Sequence, residues 1–281
     1  MKWRGRRTSG NIEDRRRGGG GRSAGIGGIG LVVVLLIGVF FGVDVTPFLT
    51  GGGGTVETGA PAGPNSIDDE AEEFVAVVLA DTEEVWDAVF TASGLQYEAP
   101  TLVLYAGQTS SACGGADAAM GPFYCPGDKR VFLDTDFFRV MTEELGAQGN
   151  FAAAYVIAHE VAHHVQNELG VLGEVNSTRR FASESESNAL SVRVELQADC
   201  YAGLWARNAE DRFGSLEPGD IENAMDTAAR IGDDALQRAS RGVVVPDSFT
   251  HGTSAQRQSW FGRGYETGDP EACDTFGAAQ L

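Results

Sequence analysis

The chain has 281 residues, 42% of them apolar, and a net charge of −19, which allows one generous domain or two small ones without staples. The charge is uneven: residues 1–22 carry a net +6, leaving about −25 for the remainder. A body that acidic repels phosphate backbones, so the composition argues against nucleic acid as a partner of the main domain.

In chain order, residues 1–25 form a basic arm, in which Lys2, Arg4, Arg6, Arg7, Arg15, Arg16, Arg17 and Arg22 outnumber Glu13 and Asp14. An uncharged run follows from Ile26 to Val43. As a helix it spans about 27 Å, close to the hydrocarbon thickness of a bilayer. The core of a cleaved signal peptide is the alternative, but the run is long for one, and no Ala-x-Ala-like site follows at Asp44-Val45-Thr46-Pro47. The expectation is a single transmembrane helix over 26–43 in the cell membrane. The positive-inside rule then puts the N-terminus in the cytoplasm, its arginines on anionic membrane lipid, and everything beyond Asp44 outside. Residues 44–65, with Gly51-Gly52-Gly53-Gly54, read as a flexible linker.

The folded domain is expected over 66–281. Ser66 is a candidate N-cap, with Asp68, Asp69 and Glu70 in the first turn. Helical spacing places Phe74, Val75, Val78 and Leu79 on one face over 67–80, and Val85, Trp86, Val89 and Phe90 on a second helix over 82–92. The period then changes. Residues 101–105 and 130–134 are short, rich in β-branched and aromatic side chains, and read as strands. From Asn150 onward the pattern is helical over 151–169, 187–209, 219–232 and 253–264, with Asn150 as a cap and Gly170 as a stop for the first of these. A small antiparallel or mixed sheet with helices segregated around it is an α+β fold, mostly helical.

The four cysteines, Cys113, Cys125, Cys200 and Cys273, all fall on the side predicted to be oxidising. Three pairings of two disulfides are possible, and four free buried thiols are the alternative. The short local loop favours Cys113–Cys125, with Cys200–Cys273 as the second bridge. No Cys-x-x-Cys pair offers a cysteine-type zinc site.

The helix over 151–169 carries His159-Glu160-Val161-Ala162-His163. Its histidines stand at i and i+4, on one face and one turn apart, so both can bind a single Zn²⁺ ion. Glu160, beside the first of them, can take a proton from a water held there. Glu195-Leu196-Gln197-Ala198-Asp199 repeats the i, i+4 spacing with carboxylates on another helix. Glu195 can supply a third ligand. Asp199 can accept the outer N–H of a ligand histidine and set its tautomer. Ala198, Tyr201, Ala202, Leu204 and Trp205 make that neighbourhood apolar, a poor place for unpaired carboxylates.

These two motifs resemble those of the gluzincins, in which two His and one Glu hold zinc. More of the chain is similar to the bacterial neutral zinc metallopeptidase family, whose members carry an N-terminal membrane helix. Lys2-Trp3-Arg4-Gly5, Ser9-Gly10-Asn11-Ile12-Glu13-Asp14-Arg15-Arg16, the stretch Phe74 to Glu83, Gly121-Pro122-Phe123-Tyr124-Cys125-Pro126 and Val131-Phe132-Leu133-Asp134 carry that likeness. The resemblance implies a zincin-like fold and a zinc-dependent peptidase acting on protein or peptide substrates. It implies His159, His163 and Glu195 as ligands and Glu160 as general base and acid. It also implies that a sheet edge aligns an extended peptide, with 130–134 as the candidate edge strand. His251, in Phe249-Thr250-His251-Gly252, fits the part of a donor to the oxyanion, against an exposed loop histidine as the plainer reading. His164 is expected to be packed or hydrogen-bonded rather than a ligand, and Arg257 to make a surface ion pair, with the anchoring of a carboxylate in the site as its alternative. Two other functions share these residues: a membrane-tethered binding or chaperone-like module with zinc but no hydrolysis, and a zinc hydrolase of non-peptide amides.

Overall fold

β2 (Thr101–Tyr105) and β6 (Arg130–Asp134), the two strands legible in the sequence, lie parallel with Thr101 opposite Arg130. The computed structural model, which describes residues 1–16, 69–117, 121–143 and 149–281, places a strand on either side of them. β1 (Ile12–Asp14) runs parallel to β2, and β5 (Phe123–Cys125) runs antiparallel to β6, giving the order β1-β2-β6-β5. The segment 130–134 is therefore interior, not an edge; the edges are β1 and β5. A separate hairpin joins β3 (Gln108–Ser111) to β4 (Gly114–Asp117).

Successive strand residues face opposite sides, and β2 and β6 bury both. Leu102, Leu104, Val131 and Leu133 join the main core with the helices. Val103, Tyr105 and Phe132 turn the other way and pack with Phe123, Ala116 and Cys125 in a smaller cluster. The Cys113–Cys125 disulfide ties the hairpin region to β5, and Cys200–Cys273 is the second bridge, the pairing expected from the sequence.

The helices are α1 (Glu70–Ala92), α2 (Asp136–Glu143), α3 (Asn150–Glu168), α4 (Val171–Arg179), α5 (Glu184–Phe213), α6 (Asp220–Arg230), α7 (Asp233–Arg241) and α8 (Ser254–Thr267). The fold is mixed α+β and mostly helical. α1 is one continuous helix where two were expected, and its cap is Asp69, which accepts from the Glu72 amide. The polar pair that suggests a break is absorbed: Thr82 Oγ1 donates to the Leu79 carbonyl, and Asp81 accepts from Arg6.

α3 is buried from Phe151 to Gln166, the signature of a central helix surrounded by other elements. Gly149, not Asn150, occupies its N-cap. α5 is fixed at its start by a capping box between Ser183 and Glu186 and crosses both α3 and α8. Its crossing with α8 is close, because Gly203 and Gly264 each face backbone. A β-carbon at Gly264 would meet the Cys200 carbonyl oxygen at 1.8 Å, and one at Gly203 the Phe261 carbonyl oxygen at 2.0 Å.

Residues 1–16 are not an arm apart from the domain. Met1, Trp3 and Ile12 are buried in the main core, with Trp3 edge-on to Phe74 at 5.6 Å. The arginines expected on lipid pair with carboxylates of the same chain: Arg4 with Glu70, Arg6 with Asp81 (2.7 Å), Arg7 with Glu83 and Glu84 (3.1 and 2.6 Å), and Arg16 with Asp14, Asp69 and Glu72 (2.8, 2.6 and 2.9 Å). Charge complementarity between a basic segment and an acidic body draws it in. The expected span over 26–43 and the linker over 44–65 lie outside the described residues. Among the described residues, no helix is long and apolar enough to cross a membrane.

Candidate metal centre

α3 presents His159 and His163 towards α5, which presents Glu195 and Asp199, and Glu160 follows His159 on α3. All five side chains are buried. Glu195 lies between the imidazoles, its Oε2 3.1 Å from His159 Nε2 and its Oε1 3.6 Å from His163 Nε2. One ligand atom from each of the three residues lies within 4.8 Å of the others. Two imidazoles and one carboxylate on rigid helices fit Zn²⁺, with a fourth position left for water or substrate.

Behind His159, its Nδ1 lies 2.9 Å from Asp199 Oδ1. Asp199 also accepts from Tyr155 Oη (2.6 Å) and from two nitrogens of Arg257 (2.8 and 2.9 Å). Burial pushes the Asp199 carboxyl up, but Arg257 and His159 outweigh it and hold it at about 2. Arg257 is 2% exposed, so the expected surface ion pair is a buried, bidentate one. A short apolar α8 face carries it inward from Thr253, which caps that helix. Behind His163, Nδ1 meets Gln166 Oε1 at 2.8 Å.

Glu160 is 8% exposed, and burial raises its pKa, partly opposed by His163 and His159. A carboxylate with a raised pKa on the site helix is suited to taking up a proton and giving it back.

His251 is set by Asp233, the first residue of α7. Asp233 Oδ1 lies 3.2 Å from His251 Nδ1, while Oδ2 accepts the amides of Thr250, His251 and Gly252 at 2.7, 2.6 and 3.0 Å. The loop wraps one carboxylate, which requires Gly252 at φ 93, a backbone region that favours glycine. Burial lowers the His251 pKa, yet Glu195 and Asp233 raise it overall, so the ring senses the Glu195 charge.

His164 turns away from these groups. Its Nε2 donates to the Glu98 carbonyl (2.5 Å), and its Nδ1 accepts from Tyr124 Oη (3.1 Å). It thereby ties edge strand β5 to α3. Sequence reasoning missed Tyr155, Gln166, Gln197 and Asp233. Gln166 is signalled only by its place three residues after His163, on the same helix face. Asp233 opens a helix too short and polar to register in the pattern.

A protein-family model described as "Putative neutral zinc metallopeptidase" matches residues 1–276. The Escherichia coli K12 protein YpfJ, itself uncharacterized, is 48% identical over 287 residues, 99% of each chain. The uncharacterized proteins Mb2605 of Mycobacterium bovis and Rv2575 of Mycobacterium tuberculosis are each 46% identical over 222 residues, 75% of this chain and 74% of theirs. No solved structure matches.

Proposed function

The chain belongs to the family of that zinc metallopeptidase model, and from this premise we propose that it is a zinc-dependent peptidase of zincin, gluzincin-like type. One observation carries the reading: two histidines and a glutamate from crossing helices converge in a buried site, with Glu160 on the same helix as the histidines. His159, His163 and Glu195 would hold the ion, one per site. Bound zinc supplies Lewis acidity, lowering the pKa of water and polarising a carbonyl.

The rest is the work of side chains. Glu160 accepts a proton from the attacking water and delivers it to the leaving amine, so that one water adds across the peptide bond. His251, oriented by Asp233, donates to the oxygen that gains negative charge. Asp199 holds His159 with its proton on Nδ1 and its Nε2 directed at Glu195. The antiparallel edge strand β5 takes the substrate-aligning part expected of 130–134, because Tyr124 and His164 fasten it to the site helix.

Glu160→Gln is expected to bind zinc as the parent does and to lose hydrolysis by several orders of magnitude, read with a peptide library with and without chelator. Glu195→Ala is expected to lose zinc. Full activity in the first variant, or unchanged metal content in the second, would overturn these roles.

The disulfides support a domain outside the cytoplasm. The pairing of β1 with β2 inside that domain supports residues 1–16 lying on the same side as the domain, in place of a single crossing at 26–43 that would part them. We therefore place residues 1–16 on the same side as the domain.

A further inference from the structure

The imidazole of His163 sits at one end of a line of buried amides. Its Nδ1 is 2.8 Å from Gln166 Oε1. Gln166 Nε2 lies 2.8 Å from the Val194 carbonyl and 3.0 Å from Gln197 Oε1. Gln197 Nε2 lies 3.2 Å from the Cys273 carbonyl. Both glutamines are buried, Gln166 fully and Gln197 to 5% exposure.

Direction along this line is decided by its fixed ends. A backbone carbonyl only accepts, so the Cys273 oxygen requires the NH₂ of Gln197, and the Val194 oxygen requires the NH₂ of Gln166. Gln197 then offers its oxygen to Gln166, and Gln166 offers its oxygen to His163. The histidine must be the donor, with its proton on Nδ1, which leaves Nε2 unprotonated on the side of Glu195. No alternative amide orientation satisfies both carbonyls.

The Cys273 carbonyl is itself held. The Cys200–Cys273 disulfide fastens this segment to α5. One turn before Gln197, Thr275 Oγ1 donates to the Arg193 carbonyl at 2.7 Å, and the Arg193 guanidinium donates back to the Thr275 carbonyl. The C-terminal segment is thus a backbone template laid along the helix that carries Glu195 and Asp199.

We infer that Gln166 is a positioning residue for His163, and that the Cys200–Cys273 disulfide maintains its orientation through Gln197, coupling the redox state of that pair to metal affinity. The inference rests on the zinc-site reading above, and it predicts an order of effects. Losing an outer hydrogen-bond partner of a ligand histidine costs about 10- to 100-fold in metal affinity. Gln166→Leu should fall in that range, Gln197→Leu should lose less, and Cys200→Ser with Cys273→Ser should lose several-fold. Gly173→Ala, in α4 with nothing within 4 Å of the new methyl, should bind as the parent does.

The test is zinc affinity of the full-length chain by competition with a chromophoric chelator, alongside the ligand-field spectrum of the Co²⁺ form and circular dichroism of the metal-free form. His163→Ala serves as the reference for a lost ligand. If His163→Ala lowers affinity but folded Gln166→Leu keeps the parent value and Co²⁺ spectrum, the positioning role fails while the site stands. If the parent and His163→Ala bind zinc equally, the site itself is wrong and the inference falls with it. Should Gln166→Leu not fold, Gln197→Leu decides: parent affinity there overturns the relay. Parent affinity in the Cys200/Cys273 variant overturns the redox coupling.

Discussion

At the scale of single residues, burial prevails at Glu160, whereas at other groups of the site the partners outweigh the cost of burial. Asp199 is the clearest case, since its carboxyl sits at about 2, below the ordinary 3.8, despite complete burial. A carboxyl with a depressed folded pKa contributes stability that is present above the ordinary value and lost as pH falls through the folded one. That contribution amounts to about 2 kcal/mol in the metal-free chain, lost between about pH 4 and 2. Asp199→Asn should flatten this part of the acid-unfolding curve measured by urea titration at stepped pH. It should also lower zinc affinity about 10- to 100-fold, because an amide can present its NH₂ to His159 and favour the wrong tautomer. An acid limb as steep as the parent's would show that Asp199 carries none of it.

At the scale of elements, the site depends on how close three helices come. α3 supplies the histidines and α5 the carboxylates, while α8 delivers Arg257 to Asp199. The α5–α8 approach is possible only with glycine at positions 203 and 264, where a β-carbon would overlap carbonyl oxygens. Gly264→Ala is expected to destabilise by about 3 kcal/mol, as overpacking forces the helices apart. Gly173→Ala, in α4 with nothing within 4 Å of the new methyl, should instead stabilise by up to about 1 kcal/mol. Denaturant midpoints compare the two, and equal losses would remove the packing explanation.

The elements themselves were unevenly legible. Strands 101–105 and 130–134 were readable from their β-branched and aromatic side chains, and the helices holding the two motifs from longer apolar patterns. β1 and β5 were not, because three residues carry no period and their stability comes from pairing with β2 and β6. α4 and α7 are short and polar, held by what they pack against rather than by a face of their own. The apparent break at Asp81 and Thr82 misled for the opposite reason, since one hydroxyl and one distant arginine satisfy both groups.

At the scale of the whole molecule, the N-terminal segment changes most between sequence and structure. Its charge and the apolar run behind it suggest an arm on lipid; its strand pairing and buried Trp3 make it part of the domain. Trp3→Ala is expected to cost about 3 kcal/mol in stability of the full-length chain, since it empties a core position 2% exposed. Impermeant thiol labelling of single cysteines placed near residue 10 and near residue 280 should report the same side of the membrane in cells. Opposite sides would show that β1 does not pair with β2 in the cell.

The amino-acid sequence by itself picked out the residues that meet at the candidate site, because i, i+4 spacing on a helix is local geometry that needs no partner to be drawn. It equally carried the likeness to the family, and it favoured the observed pairing of the cysteines among the three that it left open. Only the tertiary structure decided which groups stand behind the residues of the candidate site: Arg257 and Tyr155 on Asp199, Asp233 on His251, Gln166 and Gln197 on His163. Those contacts join residues up to 102 positions apart, from Tyr155 to Arg257, and no period along the chain encodes a distance closed by packing.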